Sequence, residues 1–186
     1  MPQRVVFVSG APGVGKSTVA RRVAAPLSAA LVDIDATVAP FVPLLAGRRP
    51  EDVRAAVYES LLGTVEASLA AGVDVVVAAP FTRERREGAA WDETAARVRS
   101  HGAEPVLVWL HAPRDVVLAR LAGRGAERDA DKLADPARWL EQVDPGAAPT
   151  VPHLAVDASD APEAAAERIL RELRPAPRVA SAPSVG

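Results

Sequence analysis

The chain of 186 residues contains no cysteine. That excludes disulfide staples and thiolate nucleophiles, and it fits a reducing compartment. Aromatic residues make up only 4% of the chain. Alanine and valine must therefore carry the interior, which suits helices packed closely on a parallel sheet. Neither sign of charge prevails: 22 Lys and Arg against 24 Asp and Glu leave a net charge of −2. No global charge draws the chain to nucleic acid or to an anionic membrane, and neither is expected as a partner. No apolar run reaches the length that spans a bilayer, and Met1 leads almost directly into the first strand without a signal-peptide pattern. The expectation is a soluble cytoplasmic protein with one main domain, a monomer or homodimer.

What is present in strength is one stretch, Gly10-Ala11-Pro12-Gly13-Val14-Gly15-Lys16-Ser17-Thr18. It follows the apolar run Val5–Val8 and precedes a helical pattern. Strand, glycine loop and helix with the spacing G-x-x-x-x-G-K-S form a phosphate-binding P-loop. Backbone N–H groups must converge on phosphate oxygens there, and glycine permits the backbone that this requires. The helix that follows aims its positive end at the anion. Lys16 is placed to reach the β- and γ-phosphates, and Ser17 to offer its hydroxyl to Mg²⁺. Thr18 reads as a packing neighbour. The spacing is not G-x-G-x-x-G, which disfavours a dinucleotide site.

Apolar runs and helical patterns then alternate. Strands are expected at about 4–9, 31–35, 73–79 and 105–110, with a weaker one at 151–156. Helices are expected over 15–25, with Pro26 at the end, and over 50–72, 82–100, 113–122, 135–143 and 162–173. Residues 36–49 read as loop or broken helix, and 174–186, rich in Pro, Ala and Ser, as a disordered tail. This alternation implies an α/β fold with a parallel sheet and helices on both faces. Ligands bind such sheets beyond the carboxyl ends of the strands.

Candidate residues collect at those ends. Asp33 and Asp35 close the second strand, where a period of two would set both on one face toward the P-loop. One suits the Mg²⁺ shell and the other an acceptor hydroxyl. The third strand ends Ala78-Ala79-Pro80-Phe81-Thr82 without the acid of motor ATPases, which makes Asp33 the better metal partner. Thr82, Arg83, Arg85 and Arg86 follow as candidates for an acceptor pocket, with Arg48 and Arg49. Arg120, Arg124 and Arg128 recur every four residues around Gly123 and Gly125, as in an arginine-bearing lid over about 123–137, with Lys132 beside them. His101, His111 and His153 show no metal-ligand spacing.

The P-loop, Leu31-Val32-Asp33-Ile34-Asp35 and Arg120-Leu121-Ala122-Gly123-Arg124 occur in the order found in small P-loop kinases. The chain resembles shikimate kinase, gluconate kinase and chloramphenicol phosphotransferase, and it is similar in plan to bacterial AAA family ATPases and zeta-toxin-like proteins. The resemblance implies a three-layer P-loop NTPase fold with sheet order 2-3-1-4-5 and a lid. It implies an ATP-dependent kinase acting on a small-molecule hydroxyl, with ATP and Mg²⁺ as cofactors. By that likeness Gly10 to Thr18 and Arg120 hold nucleotide, and Ser17 and Asp33 hold metal. Lys16, Asp35, Arg124 and Arg128 act in catalysis, and the loop at about 157–160 borders the adenine. Alternatives are a slowly hydrolysing regulatory ATPase and a polynucleotide 5′-kinase. Two departures, Ala79-Pro80-Phe81 in place of a glycine triplet and a lid without arginine-proline-leucine-leucine, weigh against shikimate as acceptor.

Overall fold

The computed structural model describes residues 2–45, 47–126 and 129–174. The apolar run Arg4–Gly10 forms β1, the central strand of a five-stranded sheet. The other strands are β2 (Ala30–Asp33), β3 (Val75–Ala78), β4 (Glu104–His111) and β5 (Leu154–Asp157). All neighbours pair in parallel, in the order β2-β3-β1-β4-β5. This is the expected P-loop NTPase order. With β1 central, its carboxyl end opens onto a crevice between β3 and β4.

Side-chain alternation divides the core. Val6 and Val8 of β1 face α1 (Lys16–Leu27) and α9 (Pro162–Glu172), together with Val108, Leu110 and Ile169. Val5 and Phe7 face the other way, with Leu61 and Val65 of α3 (Pro50–Ala70) and Val98 of α5 (Gly88–Ser100). The scarce aromatics concentrate on this second face. The Phe7 ring meets Phe81 at 5.2 Å and Trp91 at 5.7 Å, both edge to face. Truncating Phe7 to alanine would cost about 3–5 kcal/mol.

Several boundaries move from their expected places, each for a local reason. α1 runs one residue past Pro26, which forgoes the amide bond to the Arg22 carbonyl, and Ser28, at φ 52°, caps the end with its amide toward the Ala24 and Ala25 carbonyls. The second strand stops at Asp33 rather than Asp35. Asp33 Oδ1 accepts from the Asp35 amide at 2.9 Å and so starts the short helix α2 (Ile34–Val38). A 3₁₀ helix follows over Ala39–Leu44. The charged helix at 82–100 is broken at Glu87, which takes extended dihedrals, into α4 (Thr82–Arg86) and α5. The last strand starts three residues later than the expected 151. α6 (Arg114–Arg124), α7 (Ala130–Ala134) and α8 (Pro136–Val143) complete the helices among the described residues. The tail expected at 174–186 lies, from residue 175 on, outside them. No described helix is long and apolar enough to cross a membrane.

Candidate active site

The turn from β1 into α1 is shaped by its glycines. Gly10, Gly13 and Gly15 have φ of 146°, 84° and 101°, a region that side chains oppose. Gly13 is also held by packing: a Cβ there would lie 2.9 Å from Leu121 Cγ and 3.0 Å from the Val117 carbonyl oxygen of α6. At Gly15 a Cβ would meet nothing within 4 Å, so that side of the loop is open. Val14, buried at the loop's centre, pins it to the core.

Lys16 folds back over this loop, and its ammonium donates to the carbonyls of Gly10 and Ala11, each at 3.0 Å. Burial lowers its pKa to about 8, the nearby Asp35 and Asp33 opposing the drop and Arg85 and Arg124 adding to it. An ammonium whose hydrogen bonds go to two loop carbonyls is a partner that a polyanion completes. The donor set thus fits a triphosphate: loop amides, Lys16 and the open flank of Gly15. Ser17 and the carboxylates of Asp33 and Asp35 line the same cleft, of about 290 Å³, and supply the oxygen ligands that suit Mg²⁺. No cluster of three or more His, Cys, Asp or Glu capable of holding a metal alone occurs among the described residues. Any magnesium there would thus rest on few protein ligands plus phosphate oxygens and water.

Arg120, Arg124 and Lys132 also face this cleft. Arg120 is committed to backbone: its guanidinium donates to the carbonyls of Ala158 at 2.6 Å and Ser159 at 2.8 Å, with longer contacts to Val14 and Asp160. It thereby ties the loop after β5 to the P-loop. Arg124 donates through Nε to Asp129 at 2.8 Å, and Lys132 reaches the other oxygen of the same inaccessible carboxylate. Burial works against ionisation of Asp129, but its bonds to Lys132 and Arg124 outweigh that and hold its pKa below the ordinary value. Arg128 lies outside the described residues.

A second and larger cavity, about 1150 Å³, adjoins the first. Pro12, Ile34, Asp35 and Pro80 line both, so Asp35 stands where the two meet. The expected arginines Arg48, Arg83, Arg85 and Arg86 and the hydroxyl-bearing Thr82 line its wall, whereas Arg49 pairs with Asp52 at 2.8 Å and does not. Reading the sequence missed Arg54 and Tyr58, which also line it. Their spacing of four on α3 was the available signal, masked by the apolar stripe that starts at Val53. Burial raises the Tyr58 pKa to about 12. His111 stacks on Trp109 at 4.7 Å and joins neither cavity.

Residues 5–147 match the AAA domain family. Over 141 residues the chain is 35% identical to a shikimate kinase of Bradyrhizobium diazoefficiens, a match covering 72% of this chain and 60% of that protein. The chain thus spans about 60% of the length of that relative. A sugar kinase of Janibacter sp. HTCC2649 superposes with a TM-score of 0.64 at 24% identity, over 91% of this chain and 94% of that one. The APS kinase of Mycobacterium tuberculosis, solved with AMPPNP and APS, gives 0.64 at 21% identity over 92% and 98%. At such identities the likeness is one of fold.

Proposed function

The chain belongs to the AAA domain family, and on that premise we propose that it is an ATP-dependent phosphotransferase moving the γ-phosphoryl group of Mg-ATP to a hydroxyl of a small molecule. One observation carries the reading: Asp35 lines both the cleft of the glycine loop and the larger adjoining cavity. A group there can touch the transferring phosphoryl and the acceptor together. A switch that only hydrolyses nucleotide needs no such second chamber.

The residues divide the work. Gly10 to Thr18 cradle the phosphates, with Lys16 on the β- and γ-oxygens. Ser17 and Asp33, which line the cleft, would hold the metal. Magnesium, when bound, neutralises charge on the phosphate oxygens. Asp35 orients the acceptor hydroxyl and takes its proton as the new oxygen–phosphorus bond forms and the bond to the β–γ bridging oxygen breaks. Arg124 and Arg128 close with a lid over about 123–137 and spread positive charge over the transferring group. Arg120 and the loop after β5 border the nucleotide base. Residues 1–174 form the catalytic domain.

The test is ADP release measured across a library of sugars, hydroxy acids, nucleosides and short oligonucleotides. A kinase of this kind gives release that rises with one class of small acceptor. Release that no acceptor accelerates would favour a regulatory ATPase instead. Asp35→Asn is expected to leave Mg-ATP binding within about twofold and to lower transfer about 10²-fold or more. Full transfer by that variant would remove Asp35 from the role of base.

A further inference from the structure

Arg85 is an arginine in the wrong place for a structural one. It is 4% exposed. Its Nε has no hydrogen-bond partner, and among the described residues no carboxylate forms an ion pair with it. A buried guanidinium normally has its charge answered by an acid or by a set of carbonyls. Arg120 of the same chain illustrates the second arrangement, with its carbonyl partners at 2.6–3.4 Å. Arg85 has neither, yet it lines the larger cavity.

The backbone around it is fixed in this position. Phe81 adopts a left-handed conformation, φ 44° and ψ 42°, which a bulky residue rarely takes. Its amide donates to Tyr58 Oη at 3.1 Å, and its ring packs against Phe7 and Tyr58. The turn made there aims α4. The Arg85 amide then bonds the Phe81 carbonyl at 2.9 Å, and the Arg85 carbonyl accepts from the Thr150 amide at 2.9 Å. Its neighbours on α4 line the same cavity but are exposed and have partners: Arg83 is paired with Glu87 at 3.3 Å, and Arg86 donates to the Val143 carbonyl at 3.3 Å. The turn at Phe81 thus holds a buried guanidinium, its Nε without a partner, in the wall of the chamber.

We infer that Arg85 receives an anionic substituent of the acceptor, so that the substrate is a hydroxylated carboxylate or phosphate ester rather than a neutral alcohol. This rests on the proposed phosphotransfer. Asp35 and Arg85 both line this cavity, so the molecule would present its hydroxyl to the first and its anion to the second. Arg85 lines this cavity and not the nucleotide cleft, although its charge is felt at Lys16. A guanidinium receives either oxyanion through two parallel N–H bonds, and a neutral polyol cannot answer its charge.

The experiment uses the full chain and follows the Arg85 Nε–Hε signal by ¹H–¹⁵N NMR. Acetate, inorganic phosphate and glycerol are titrated separately, each in the presence of saturating Mg-AMPPNP. The inference expects a saturable shift with acetate or phosphate and none with glycerol, the tighter oxyanion identifying carboxylate or phosphate as the native group. Arg85→Lys, checked for folding by its melting transition, should weaken that oxyanion at least about tenfold while holding Mg-AMPPNP as the wild type does. If Arg85→Lys were to disturb folding, the wild-type titration still decides. An Nε signal indifferent to both oxyanions overturns the inference, as does one that Mg-AMPPNP alone saturates. Failure of Mg-AMPPNP to bind at all would instead overturn the proposed phosphotransfer itself.

Discussion

Lys16→Met offers a direct reading of what the buried ammonium does to the protein without nucleotide. Unfolded, Lys16 holds its proton up to its ordinary pKa of 10.5; folded, burial lets the proton go near 8. Below pH 8 both states are charged, and the folded state carries the whole burial cost. Between 8 and 10.5 the unfolded chain binds more protons, so stability rises with pH across that window. At about 1.4 kcal/mol per pH unit the full window is worth about 3 kcal/mol. The methionine variant lacks this gradient, although it leaves the carbonyls of Gly10 and Ala11 unpaired at every pH. Subtracting its stability from that of the wild type cancels all other titrations. Urea denaturation should show this difference moving in favour of the wild type by about 2 kcal/mol between pH 7 and 9.5. Saturating Mg-ATP should flatten the gradient in the wild type, because phosphate oxygens then hold the ammonium charged. A difference that stays level, or that falls with pH, would refute the account of Lys16 as a buried cation awaiting a polyanion.

Gly13 and Gly15 should part company under substitution. Gly13→Ala drives a methyl group into Leu121 and the Val117 carbonyl, and should lower stability by about 2–4 kcal/mol in chemical denaturation. Gly15→Ala, with open space around it but φ of 101°, should cost only about 1–2 kcal/mol while weakening Mg-ATP more than stability. Tyr58→Phe removes the acceptor of the Phe81 amide and should cost about 1–3 kcal/mol by urea titration. An unchanged midpoint would mean that the amide finds another partner.

The sheet was legible because its signal is redundant. Each strand is a short apolar run, each crossover a helical pattern, and the glycine loop fixes which strand is first. The P-loop and its lysine follow from the same stretch. The boundary at Asp33 was not legible in the same way. An alternating pattern extends naturally through Ile34 and Asp35, whereas the Asp33 side chain captures the Asp35 amide and ends the strand. The two acids still line one cleft, through a capped turn in place of a pleat. The arginines after β3 were visible as a group, but their division was not. Which of Arg83, Arg85 and Arg86 is buried depends on the left-handed turn at Phe81, and no local propensity foretells that conformation in a phenylalanine. Arg120 was legible as a cleft residue, while its carbonyl partners come from a loop 38–40 residues further along the chain.

That grip of Arg120 has a mechanical corollary. Its side chain rivets the body of α6 to segments at both extremes of the chain order, the Val14 carbonyl before it and the Ala158–Asp160 carbonyls after it. The lid proposed beyond α6 would then move downstream of that rivet, where Gly125 at φ 58° ends the helix. In the proposed mechanism the floor beneath the nucleotide base would stay still, and the lid would be a short lever that closes with little chain to reorganise.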